Sequence, residues 1–331
     1  NSCPGRFVCL LRRKNNGKGD SPLTHFENFT EDSLEKAVIE TLQEMDYEYA
    51  FGPDLSVGGP RPERKDYREV ILAGRLRDTL YKLNQDLPPD AIEDVYRRVI
   101  TFNSPSLIEN NRHFHKLLTE GVDVSFHKNG GIKTEKAIII DFEHPERNDF
   151  LVVNQFTIIE NENRRPDVLI FVNGLPLVVI ELKSTTDENV GIEQAYNQIQ
   201  TYKQDIPSLF YYNAFCILSD GINAKTGTIT SNEERFMNWR SVDGVNVASL
   251  DVPQYEVMIR GMLEKSRFLD IIQNFILFQE SKETEYDAAG NKIGDKKTII
   301  KIMAAYHQYF AVKKAVENTK IATSTKGDRK I

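Results

Sequence analysis

Residues 164–184 read RRPDVLIFVNGLPLVVIELKS, and this stretch decides the fold. Two apolar runs flank Asn173-Gly174, a dipeptide suited to hairpin turns because both central residues must accept a positive φ. In a strand, residues two apart point to the same face, so Glu181 and Lys183 project together while Leu182 faces the other layer. Two charged groups at the end of the run Leu177–Ile180 are costly to bury unless compensated. A divalent cation shared with Asp167 would compensate them. Two carboxylates suit Mg²⁺ by oxygen ligation. Such a cation stabilises charge developing on a phosphodiester and acidifies a bound water. Lys183 would position or activate that water and offset phosphate charge. A bare Glu-x-Lys is usually a surface pair. Its place after an apolar hairpin that begins Pro166-Asp167 reverses that expectation.

The register is a stricter test. A two-residue Asn173-Gly174 turn pairs Val172 with Leu175 and, stepping outward, sets Asp167 opposite Ile180, on the wrong face. A three-residue loop, Asn173-Gly174-Leu175, sets Asp167 opposite Glu181. We therefore expect a three-residue loop or a compensating bulge. A plain two-residue hairpin would break the site.

The same stretch resembles the PD-(D/E)-x-K nuclease motif, in the form found in the restriction (R) subunit of type I restriction–modification enzymes. The resemblance spans about residues 26–319 and is strongest at 164–202. It implies an α/β fold with a restriction-endonuclease-like core, a mixed central sheet flanked by helices, and a helical C-terminal extension. It also implies a metal-dependent DNA endonuclease domain of an ATP-driven translocating subunit, cutting to 5′-phosphate and 3′-hydroxyl ends. By the family motif, Asp167 and Glu181 would bind Mg²⁺, the Leu182 carbonyl is a further candidate ligand, and Lys183 would assist the water. The implied partners are double-stranded DNA and the methylation (M) and specificity (S) subunits, and ATP would serve only the full-length subunit.

Supporting segments follow from the same comparison. A helix over about 188–205 carries Ile192, Ala195, Ile199 and Tyr202 at 3–4 spacing as its buried stripe. Gln198 to Tyr202 matches the family's Q-x-x-x-Y element, whose amide and hydroxyl could position DNA or the catalytic groups, with Gln194 as a second contact. On the early helix, Glu35 is the candidate for a glutamate that approaches the metal; Glu31 and Glu40 compete, and a solvated face is the plainer reading of each. Arg164 and Arg165 are candidate phosphate contacts, Arg165 the preferred one. The segment AAYHQYFAVKKAVENT (304–319) resembles the opening of the family's helicase-like motor, where Gln308 would read adenine. No G-x-x-x-x-G-K-[ST] occurs, so ATP hydrolysis by this chain is not expected, and the chain reads as cut at the motor's threshold.

Other chemistry is weak. His113 and His115 diverge on a helical pattern and read as surface or packing residues. Cys3, Cys9 and Cys216 form no C-x-x-C pair, which fits a reduced, cytoplasmic protein. No apolar run approaches the roughly 18–20 residues that span a bilayer, and no export signal is evident.

The 331 residues are 40% hydrophobic and 27% charged, enough for a sizeable core. We expect a flexible basic arm or leader (1–25), an endonuclease domain (26–250), and a helical linker opening a truncated motor (251–331). Within them, Thr30 should cap a helix bearing Leu34, Val38 and Leu42, and 52–66 should be a loop. Helices are expected over 67–84, 89–101 and 105–120, and strands over 136–142, 149–160 and 214–221. The chain should be helical over 257–280, a polar loop over 281–298, and helical again over 302–318. Strands fenced by helices suggest an α/β or α+β core.

Charge argues the other way. The net is −7, but residues 1–25 and 313–331 each carry +4, leaving −15 on 26–312. So acidic a body does not advertise nucleic acid. Two competing functions remain: a stand-alone repair or recombination nuclease, disfavoured by the motor-like 302–319, and a non-catalytic docking module, disfavoured by the intact Asp167, Glu181 and Lys183.

Overall fold

The computed structural model describes residues 30–128, 130–184, 190–249, 251–286 and 292–324. The arm at 1–25, with Cys3 and Cys9, lies outside the described residues. Thr30 caps α1 (Glu31–Glu44) as expected: the Ser33 N–H donates to its hydroxyl at 3.3 Å, with Glu31 and Asp32 in the first turn. Leu34, Val38 and Leu42 are fully buried on one face of α1. Next come β1 (Glu48–Phe51) and α2 (Gly52–Leu55), a single turn inside the stretch read as loop. Helices α3 (Ala73–Leu83), α4 (Pro89–Ile100) and α5 (Leu107–Glu120) follow. Helix α3 starts at Ala73, not 67. Val70, Ile71 and Leu72 bury as irregular chain, and the Leu72 N–H donates to the Gly174 carbonyl at 2.9 Å.

Strands β2 (Val122–Lys128) and β3 (Gly131–Ala137) make an antiparallel ribbon that the sequence reading missed. The strand expected over 136–142 ends at Ala137, where it belongs to this ribbon. Then come β4 (Phe150–Asn154), the two-residue ladder β5 (Ile158–Ile159) with β6 (Asn163–Arg164), β7 (Val168–Val172) and β8 (Leu175–Leu182). Helices α6 (Val190–Asp205) and α7 (Pro207–Tyr211) lead to β9 (Phe215–Ser219) and β10 (Ala224–Gly227). The central sheet has the order β1-β4-β7-β8-β9-β10. The β1–β4 and β8–β9 pairs are parallel and the others antiparallel, so the sheet is mixed, as expected. Every residue of β4, β7, β8 and β9 is buried, which requires layers on both faces. Helices α1 and α6 pack against β8. The protein is α/β.

The hairpin resolves the register. Asn173 and Gly174 take φ values of 54° and 78° and form a two-residue turn. Val172 pairs with Leu175 and Phe171 with Pro176; the register then slips, and Ile170 pairs with Val178 and Val168 with Ile180. Leu177 is the extra residue. Pro176 lacks an N–H for the ladder, which suits it to a bulge. The bulged Leu177 carbonyl is satisfied by the Ala214 N–H at 2.7 Å. Of the two expected solutions, the structure takes the compensating bulge.

The C-terminal extension differs from the expectation of helices. After α8 (Gln254–Met262) and α9 (Lys265–Asn274), the chain turns into β11 (Ile276–Tyr286) and β12 (Lys292–Met303) before α10 (Tyr306–Thr323). Within the expected polar loop at 281–298, residues 287–291 lie outside the described residues, and 281–286 and 292–298 thus form the outer part of a long antiparallel ribbon. Its inner half is held by Ile276, Ile299 and Met303, which bury, and by Lys301. The Lys301 ammonium, 2% exposed, donates to Asn111 Oδ1 at 2.9 Å and to the Asn213 carbonyl at 2.6 Å.

Candidate active site

Both strands of the hairpin deliver their ends to one place. At the start of β7, the Asp167 carbonyl accepts from the Gln155 N–H at 3.1 Å, tying it to the end of β4. Its side chain turns across the pair, and the Leu182 N–H donates to Asp167 Oδ2 at 2.7 Å. Glu181, 1% exposed, points into the same space. The Lys183 N–H continues the β8–β9 ladder to the Ser219 carbonyl, and its ammonium folds back. It donates to Glu181 Oε1 at 2.7 Å, to the Leu182 carbonyl at 2.9 Å and to Glu31 Oε1 at 3.0 Å. The proposed triad is therefore assembled.

Electrostatics mark the same residues. Burial pushes Asp167 up to about 6, against the pull of the Leu182 N–H and Lys183, while the charges of Glu31 and Glu35 add to the rise. Burial and then the charge of Asp167 push Glu181 up to about 8. Burial alone would lower Lys183, but Glu181, Asp167 and Glu31 outweigh it and hold the ammonium above the ordinary lysine value. Two desolvated carboxyls beside one cation form a site that is short of positive charge.

The donors fit a hard divalent cation. Glu181 Oε2 is buried with no hydrogen-bond partner, and the available atoms are all oxygens, the type that Mg²⁺ takes. Among the described residues no three acidic, histidine or cysteine side chains converge as a metal-binding group. The candidate set is two carboxylates and the Leu182 carbonyl.

The supporting residues divide. On α6, Ile192, Ala195, Ile199 and Tyr202 bury as expected. The Tyr202 phenol is pushed well above its ordinary value by burial and by the charges of Glu181 and Asp167; Gln198 hydrogen-bonds to it and opposes that shift. The Tyr202 hydroxyl is directed at the Arg165 carbonyl at 3.5 Å, so the Q-x-x-x-Y pair does border the site. Gln194 is exposed, and so is the Arg165 side chain. Arg164 is tied to Asp205, its Nε 2.6 Å from Oδ2. Glu35 is fixed by two amides: Asn154 Nδ2 donates to its Oε1 at 2.7 Å and Gln155 Nε2 to its Oε2 at 2.6 Å. Glu31, one turn earlier, is the residue that reaches Lys183. Glu40 pairs instead with Lys36 at 3.9 Å on the exposed face.

Asn154 and Gln155 were missed from sequence. Their signal was a polar pair interrupting the apolar run FLVVNQF, and Gln155 takes a φ of 55°. His113 is exposed; His115 is buried beside Phe278, and burial followed by the Lys301 charge pushes it down to about 3. The Cys216 thiol is pushed up to about 12 by burial. Gln308 is exposed, and its side-chain oxygen accepts from the Ala305 N–H at 2.9 Å, closing the first turn of α10.

Residues 28–235 match the family model described as Type I restriction enzyme R protein N terminus. The chain belongs to that family. It is 39% identical over 306 residues to the Type I restriction enzyme HindI endonuclease subunit of Haemophilus influenzae, covering 91% of this chain and 28% of that protein. It is 32% identical over 306 residues to the Putative type I restriction enzyme MjaIXP endonuclease subunit of Methanocaldococcus jannaschii, covering 86% of this chain and 27% of the relative. The chain thus spans little more than a quarter of the length of these endonuclease-subunit relatives. The matched span contains Glu31, Glu35, Asp167, Glu181, Lys183, Gln198 and Tyr202 and stops before α8. Among the described residues no helix is long and apolar enough to cross a membrane.

Proposed function

We propose that this chain is the nuclease region of a type I restriction R subunit, a PD-(D/E)-x-K enzyme that hydrolyses DNA phosphodiesters with Mg²⁺. The observation that carries the reading is the Leu177 bulge. It sets Asp167 across from Glu181, with Lys183 on the same edge. Asp167, Glu181 and the Leu182 carbonyl would hold the cation, and Lys183 would assist the water. Bound there, Mg²⁺ would supply charge neutralisation for the scissile phosphate and acidify a water molecule. Lys183 would offer its ammonium protons to that water or to a phosphate oxygen. Tyr202, braced by Gln198, walls the buried side of Glu181 and keeps bulk water from it. Arg165, exposed at the mouth, would meet a backbone phosphate.

The chemistry addresses backbone phosphates and reads no bases, so sequence choice would fall to the S subunit, with the M subunit beside it. The substrate would be unmodified foreign double-stranded DNA in the cytoplasm, delivered by an ATP-driven motor elsewhere in the full-length subunit. Gln308 would serve adenine only there. Family membership supports this reading over a stand-alone repair nuclease. In the full-length subunit assembled with its partners, Asp167→Ala or Lys183→Ala should abolish cleavage while ATP-driven translocation continues. Loss of both activities together would mean that the function has been misplaced.

A further inference from the structure

The Lys183 ammonium and a divalent cation call on the same two groups, the Glu181 carboxylate and the Leu182 carbonyl. An ammonium has three protons, and Lys183 commits all three: to Glu181 Oε1, to the Leu182 carbonyl and to Glu31 Oε1. The first two belong to the groups named above as cation ligands, Lys183 holding Oε1 of the carboxylate whose Oε2 has no partner. If a cation turns both groups to itself, the ammonium keeps one partner. That partner is Glu31.

We propose that Glu31 is a positioning residue, the rest on which Lys183 is held at the mouth of the site once Glu181 and the Leu182 carbonyl turn to a divalent cation. The inference rests on the reading of Asp167 and Glu181 as cation ligands. It also separates the two glutamates of α1. Glu35 has both oxygens occupied by the Asn154 and Gln155 amides, so it is locked in place and is not the lysine's partner. Glu31 stands one turn nearer the helix start, its side chain 47% exposed, and touches Lys183 across 152 positions of sequence. The side chain of Lys183 is only 19% exposed. Displacing its ammonium from two acceptors with no remaining carboxylate would leave an uncompensated charge in a half-buried place, a strongly unfavourable outcome. With Glu31 in place, the ammonium pivots about its remaining bond and stays next to the water and phosphate it must serve. Removing Glu31 should therefore weaken cation binding through the lysine and not by loss of a ligand.

The test is Mn²⁺ titration of the 331-residue chain by calorimetry, with thermal melts confirming that each variant is folded. The variants are Asp167→Asn, Glu31→Gln, Lys183→Met, and the double variant Glu31→Gln/Lys183→Met. Lys183→Gln replaces Lys183→Met should the latter fail to fold. Wild type should bind Mn²⁺ and Asp167→Asn should lose it; unchanged binding in Asp167→Asn would defeat the site reading and this inference with it. Given that loss, Lys183→Met should bind Mn²⁺ more tightly than wild type, because the competing ammonium is gone. Glu31→Gln should weaken binding by about five- to tenfold with Lys183 present and by less than about twofold in the Lys183→Met background. An equal penalty in both backgrounds would make Glu31 a ligand or a plain field charge. That result, or a failure of Lys183→Met to tighten binding, would overturn the proposal while leaving the site reading intact.

Discussion

Asp167 faces Glu181 across the β7–β8 hairpin, one position beyond the Val168–Ile180 pair, because Leu177 bulges out of the pairing. Both carboxyls are thereby desolvated together. Burial, then the charge of Asp167, raises Glu181 from an ordinary 4.5 to about 8. Between these values the folded chain holds a proton that the unfolded chain has released. Glu181 therefore contributes stability that is complete below about 4.5 and lost as pH rises through about 8. Glu181→Gln keeps the shape and removes the charge. In EDTA it should melt a few °C above wild type at pH 9 and level with it at pH 5, while cleavage is lost. A variant that melts below wild type at pH 9 would show that the ionised carboxylate is not a burden on the fold.

How far the sequence could be read depends on where each element finds its partners. The hairpin was legible because its signals are local: Asn173-Gly174 demands a turn, and Leu175–Leu182 has no polar break before Glu181. Even the bulge followed from requiring Asp167 and Glu181 on one face. Both ribbons were not legible. In the outer half of β11–β12, Lys282 and Lys297 are exposed and the sequence carries no hydrophobic period, so nothing local marks these strands. In the site, helical spacing put Glu31 and Glu35 on one face but could not say which reaches Lys183. That depends on how α1 lies against β8, a contact between segments some 150 positions apart.

The turn that opens the hairpin should be intolerant of substitution. Gly174 has a φ of 78°, and a Cβ there would stand 2.5 Å from the Leu72 carbonyl oxygen and 2.9 Å from the Leu76 nitrogen, both backbone atoms. The Gly174 carbonyl also takes the Leu72 N–H, so the turn cannot slide from α3 without losing a bond. Gly174→Ala should destabilise the chain by about 2–4 kcal/mol, read from urea unfolding midpoints. A cost below about 1 kcal/mol would mean that the turn relaxes freely and does not hold the register.

Lys301 should impose a pH dependence of the opposite sign from Glu181. Its ammonium is enclosed by α5, β9 and β11, with neutral Asn111 and Asn213 as acceptors, the Phe278 ring at 5.4 Å, and His115 and Cys216 as the titratable groups it senses. Burial lowers it from 10.5 to about 7. Between those values the unfolded chain binds the proton that the folded chain lacks, so stability from this group rises with pH across that window. Lys301→Met should therefore be stabilised relative to wild type at pH 6. At pH 10 it should lose that advantage, because the charge penalty has gone and Asn111 Oδ1 still lacks its donor. Urea midpoints at the two pH values measure the difference. A difference that does not change with pH would mean that Lys301 keeps its proton throughout.

The acidic body, finally, predicts how this chain meets DNA. Residues 26–312 carry −15, and of the basic residues nearest the site Lys183 is held by carboxylates and Arg164 by Asp205. The Arg165 side chain, two residues before Asp167, is exposed. Affinity for duplex DNA scales with the number of phosphates neutralised, so a chain whose body is this acidic has little long-range hold on it. By itself the chain should bind duplex weakly, with a dissociation constant of roughly 10 µM or more near physiological salt. Arg165→Ala should weaken that binding further and lower the salt slope by about one counterion. Fluorescence anisotropy across a salt series would measure both. Nanomolar affinity that resists salt would contradict the division of labour proposed here, in which the substrate is brought to an acidic nuclease by other parts of the assembly.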